Sequence, residues 1–175
     1  MVTAFAQQPR HWYRDRTTRS FIVLGYLPWL GVMNLVWEIA QLPLYTVWAE
    51  DSLPFIAFVV AHCTLGDLVI GTSSLAFALV ATRAGAVDGW KFPKVGLITV
   101  ITGVGYTVLS EWVNSVVRES WKYSALMPVM NFGGFEIGLA PLLQWLVIPP
   151  VALWLAGFRS VNRMEKRWSS IDDIR

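Results

Sequence analysis

Four uninterrupted apolar stretches restrict what this chain can become. They run from about Phe21 to Trp48, Pro54 to Ala81, Val95 to Val117 and Phe135 to Phe158. Each matches or exceeds the roughly 20 helical residues needed to cross about 30 Å of hydrocarbon. None alternates with the period of two that marks a barrel strand. Backbone inside lipid must satisfy its own hydrogen bonds, so each stretch is expected to be a helix. The expected fold is a single all-α domain over residues 1–175, an integral membrane protein with four transmembrane helices in an up-down bundle.

Composition agrees. The 175 residues are 55% hydrophobic and only 15% charged, whereas a soluble domain carries about a quarter charged residues. A soluble globule of this size has no way to bury so much apolar surface. The balance argues against a soluble enzyme, excludes disorder, and makes the net charge of +2 weak grounds for a nucleic-acid partner. A single cysteine rules out an internal disulfide and any Cys-x-x-Cys motif.

The basic residues imply a topology. Arg10, Arg14, Arg16 and Arg19 precede the first stretch, and Arg83, Lys91 and Lys94 lie between the second and third. Arg159, Arg163, Lys166, Arg167 and Arg175 follow the fourth, which places 12 of the 14 Lys and Arg on one side. The first loop offers only Glu50 and Asp51, and the third adds Arg118 and Lys122. By the positive-inside rule both termini are cytoplasmic, as in a multi-pass protein of the inner (cytoplasmic) membrane. The first stretch is too long for a cleaved signal and runs into an acidic loop, so it is read as a retained helix. Trp12, Trp48, Trp90, Trp121 and Trp168 fall near the interfaces, where such rings form belts. Gly96 and Gly103 share a helix face, and Gly134-x-x-x-Gly138 is read as opening the fourth helix for close packing. Pro28, Pro43, Pro141, Pro149 and Pro150 are expected to kink or end helices.

Ionisable groups within a spanning helix are costly and mark function or a helix–helix contact. Here they are Glu38 and Gln41 in the first helix, His62 and Asp67 in the second, Glu111 and Asn114 in the third, and Gln144 in the fourth. At about 1.5 Å per residue all seven lie roughly 6–18 Å below the outer boundary. The inner half is nearly free of them. Glu38 and Gln41 share a face, as do Glu111 and Asn114. Turned inward, Glu38, Gln41, His62, Glu111, Asn114 and Gln144 would line one outward-facing pocket. Asp67, about 140° around the helix from His62, is read as a structural or paired group beside Gly71 and Ser74.

Such a pocket suits proton transfer to a hydrophobic substrate. A carboxyl group in low dielectric favours its neutral form, and beside an imidazole it can donate and remove protons at different carbons. Glu38 and Glu111 are then the acid–base candidates and His62 the proton partner. Gln41, Asn114 and Gln144 would position a polar group, and Trp37 and Trp112, next to the acids, would stabilise a developing cation. No organic cofactor motif is present. Glu38-x-x-Gln-Leu-Pro43, followed by His62 in the next helix, resembles pieces of the family containing the emopamil-binding sterol isomerases. The resemblance covers those two segments, lacks that family's long loop after the first helix, and implies a sterol- or isoprenoid-type ligand.

Other readings use the same residues. Four helices with short loops also suit a non-catalytic subunit or assembly factor of a membrane complex, or a homo-oligomer. Glu38, His62, Asp67 and Glu111 offer metal ligands. With one intramembrane histidine and no Glu-x-x-His pair, no metal site is assigned. Transport would need the polar layer to continue to the inner side, which it does not within one chain, leaving a through-path to oligomerisation alone.

Overall fold

The structure is a computed structural model that describes residues 11–172, with side chains from 11 to 157. Arg10 and Arg175, and the side chains of Arg159, Arg163, Lys166, Arg167 and Trp168, on which part of the topology and belt readings rest, lie outside the described residues. The chain is mostly helical, with four helices long and apolar enough to cross a membrane.

Helix α1 spans Arg16–Leu44. Asp15 caps it by accepting from the Thr18 backbone N–H at 2.8 Å and from the Thr18 hydroxyl at 2.9 Å, which satisfies donors that a helix start leaves free. A π-helical turn at Ile22–Tyr26 precedes Pro28, and a tight 3₁₀ turn at Leu42–Leu44 holds Pro43 and ends the helix. Helix α2 spans Leu53–Ala81 with Pro54 in its first turn, where the missing N–H costs nothing. It stops just before Arg83, which adopts a φ of 52°. Helix α3 covers Phe92–Val117 and widens into a π-helical stretch over Trp112–Val117. Helix α4 runs Leu139–Asp172, with Pro149 and Pro150 inside it.

Each helix packs on the next in sequence, and α4 returns to α1 to close a bundle. Close approach relies on particular glycines. A Cβ at Gly71 would come 2.6 Å from the Leu30 side chain, and one at Gly103 would overlap the Trp145 ring. A Cβ at Gly96 has room, 3.9 Å from Leu153, so only one glycine of the expected α3 pair is required for packing.

The buried core occupies the end of the bundle that carries the start of α1 and the connection between α2 and α3. Tyr26, Leu30, Leu75, Leu79, Val95, Ile148 and Ala152 meet there. Trp90, expected in an interfacial belt, is buried in that core with its ring centroid 5.5 Å from that of Phe21. The outside of the helices stays apolar, with Val36, Ile39, Leu65, Val69, Leu97 and Ile101 all exposed. Contiguous apolar surface on this scale needs an apolar covering.

The opposite end departs from the sequence expectation. Residues 135–138 are not helical. Strands β1 (Val129–Phe132) and β2 (Phe135–Gly138) form an antiparallel hairpin. Its two-residue turn is Gly133-Gly134, with φ of 61° and 95°. Two successive positive φ values define the hairpin turn that glycine adopts at no steric cost. Gly134 and Gly138 therefore serve a turn and a strand rather than a helix interface, and α4 begins at Leu139. The preceding strap is pinned to the end of α1: Thr46 donates to the Lys122 carbonyl at 3.0 Å and Ser124 to that of Leu44 at 2.9 Å.

Candidate functional site

Above the apolar core, the helices diverge around a cavity of about 560 Å³. All seven polar residues expected in the spanning helices line it: Glu38, Gln41, His62, Asp67, Glu111, Asn114 and Gln144. Helical phase accounts for much of this. Glu38 and Gln41 sit one turn apart on α1, while Cys63, Gly66, Asp67 and Ile70 form one stripe of α2.

The floor is a hydrogen-bonded cluster drawn from three helices. The Gln144 amide nitrogen lies 2.8 Å from Asn34 Oδ1, 2.8 Å from Asp67 Oδ2 and 3.2 Å from Glu38 Oε1. Gln41 donates to the same Glu38 oxygen at 2.9 Å. An amide NH₂ carries two hydrogens, so Gln144 faces one acceptor too many. Asp67, read as a structural or paired group, belongs to the floor with Glu38, joined to it through Gln144. Asn34, which the sequence reading passed over, donates to the Leu30 carbonyl at 2.8 Å and offers its oxygen to Gln144.

Glu111 forms a second centre on the α3 wall. Tyr123 reaches in from the strap and donates its hydroxyl to Glu111 Oε2. The same hydroxyl accepts from the Gly138 backbone N–H at 3.0 Å. Burial, followed by the hydrogen bond to Glu111, pushes the Tyr123 hydroxyl well above its ordinary range. One phenol thereby ties α3, the strap and β2 together. Trp121, read from the sequence as a belt residue, lines the cavity, and Tyr123, a loop residue with no helical period, reaches the cavity residue Glu111 through its hydroxyl.

The remaining expected residues are placed differently. His62 lines the cavity but is exposed, stacked on Phe58 with ring centroids 5.7 Å apart. Asn114 lines the wall while its amide donates to the Ser110 carbonyl of its own helix at 2.8 Å. Trp37 and Trp112 are absent from the lining: Trp37 packs against the apolar core, and Trp112 is 42% exposed. Successive helical residues point about 100° apart, so a neighbour of an inward acid faces sideways. Trp145 and Trp121 supply the indoles of the cavity instead.

Electrostatically the site is one-sided. Glu38, Asp67 and Glu111 are buried, while every Lys and Arg whose side chain is described is exposed. Arg118 and Lys122 reach only the mouth, beside Glu50, Asp51 and Glu119. Among the described residues, no three His, Cys, Asp or Glu side chains gather closely enough to hold a metal ion. The arrangement can bind a group that donates hydrogen bonds, and it can hold protons on two separate carboxyl centres.

No protein family, curated protein or solved structure matches this chain.

Proposed function

We propose that this chain is a multi-pass protein of the inner membrane, both termini cytoplasmic, that binds a hydrophobic substrate and moves protons on it. One observation carries the reading: three buried carboxyl side chains, from three helices, line a single cavity with no buried cation among the described residues to neutralise them. Structural glue alone would be served by neutral amides at lower desolvation cost. Glu38, hydrogen-bonded with Gln41 and Gln144, and Glu111, hydrogen-bonded with Tyr123, act as the acid–base pair. Gln41, Asn114 and Gln144 orient the substrate, and His62 at the rim exchanges protons with the surroundings.

Lipid and metabolite profiling of a deletion strain tests the reading. A hydrophobic compound should accumulate, and the wild-type chain should clear it. Glu38→Gln or Glu111→Gln, expressed and inserted to the same level, should not. Full clearance by both variants refutes the acid–base assignment.

One feature favours a second reading, a subunit of a larger complex. Val129, Met130 and Phe132 leave a hairpin at the cavity end exposed and apolar. A stoichiometric partner in a native pull-down, with no lipid change on deletion, selects that reading.

A further inference from the structure

The floor of the cavity holds more hydrogen-bond acceptors than donors, whereas the Trp121 indole N–H on its wall is a buried donor without an acceptor. The lining carries the carboxyl oxygens of Glu38, Asp67 and Glu111, which accept from Gln41 Nε2, Gln144 Nε2 and the Tyr123 hydroxyl. Gln144 is already shared among three acceptors. Gln41, only 7% exposed, lines the cavity and has a buried Oε1 with no donor at all. A buried acceptor without a partner costs about 1–3 kcal/mol, so an occupant that supplies N–H groups relieves several deficits together.

Three further features define that occupant. Among the described residues the only cations of the lining, Arg118 and Lys122, are exposed, whereas Glu38, Asp67 and Glu111 are buried. Tyr45, Trp121 and Trp145 present aromatic rings along the wall, and such faces attract a cation within about 6 Å. Phe55 and Tyr106 both line the cavity and stand 46% and 48% exposed on the outside of the bundle, on α2 and α3. These two side chains carry the cavity lining out to the apolar exterior on the side of α2 and α3. Resting on the reading of a hydrophobic substrate, we propose that the cavity binds a membrane-resident amphiphile whose head is a protonated amine, held by Glu38, Asp67 and Glu111, with its apolar tail leaving between α2 and α3. An ammonium head offers three donors in a compact volume where a hydroxyl offers one.

The test is thermal unfolding of the full chain in lipid nanodiscs with four probes at equal concentration: n-octylammonium, 1-octanol, octanoate and methylammonium. Octylammonium should raise the melting temperature, and the other three should not. Glu111→Gln should need about tenfold more octylammonium for the same shift. Gly66→Leu gives a check that spares packing, since a Cβ at Gly66 meets nothing within 4 Å. Its side chain should fill the cavity and abolish the shift. An equal shift from octanol overturns the amine head and leaves the hydrophobic-substrate reading standing. An equal shift from methylammonium overturns the amphiphile in favour of a small soluble cation. A shift that survives Gly66→Leu, or no shift from any probe, overturns the proposal, while lipid profiling judges the broader reading separately.

Discussion

The indole of Trp145 occupies the space that any side chain at position 103 would need, so α3 meets α4 through a glycine seated against a ring. Gly103→Ala should overpack this contact and destabilise the protein by about 1–3 kcal/mol. Gly105→Ala, two residues along the same helix and open to space, is the matched control. Melting temperatures of the two variants in one detergent check the difference. Because Trp145 also lines the cavity, the first variant should weaken ligand binding as well as stability.

Among the described residues, Gln144 is the only fourth-helix side chain that donates to both floor carboxyls. Gln144→Leu keeps much of the volume and leaves Glu38 and Asp67 without that donor. Hydrogen bonds to carboxylates contribute about 1.5–3 kcal/mol, and a loss in that range is expected in equilibrium unfolding. Adding Asp67→Asn should restore part of the loss, since an amide at 67 carries its own donors. Additive losses from the two substitutions would show that the residues do not interact.

Tyr123→Phe removes a donor to Glu111 and an acceptor for the Gly138 N–H together. Hydrogen exchange should rise across 123–138 while the spanning helices keep their protection. The phenol also predicts an alkaline limit. Its pKa is raised in the folded chain, so its contribution is complete below the unfolded value of about 10 and is lost as pH climbs toward the folded one. Stability of the wild type should therefore fall more steeply above about pH 10 than that of Tyr123→Phe. Parallel slopes would remove the hydroxyl from the account.

Orientation is open to direct labelling. In a Cys63→Ala background, the thiol introduced by Glu50→Cys should react with an impermeant maleimide added to intact cells. The thiol introduced by Arg83→Cys should react only after permeabilisation. The reverse pattern would turn the cavity mouth to the cytoplasm.

Hydropathy made the helices legible because length and apolarity are summed over many residues. The second stretch, read as 54–81, is Leu53–Ala81. Sequence reading failed at residues 135–138, where Gly133-Gly134 encode a turn through two positive φ values, a local signal that a Gly-x-x-x-Gly spacing masks. The polar layer of the cavity was visible from depth and helical phase alone. Asn34 escaped notice as an ordinary amide, and Tyr123 because loop residues have no period to betray where they point; Trp121 was read only as a belt residue for the same reason. Trp37 and Trp112 were misplaced by treating adjacency in sequence as adjacency in space.

The apolar core beneath Glu38, Asp67 and Gln144 has a kinetic consequence. Among the described residues, Leu30, Leu75, Leu79 and Ile148 close the cavity toward the terminal end of the bundle, so on the proposed reading a membrane-resident substrate and its product share the lateral exit between α2 and α3. On that reading, product and substrate should exclude one another there. Turnover in such a vessel should show competitive product inhibition, and it should be set by how quickly the spent molecule backs out into the membrane.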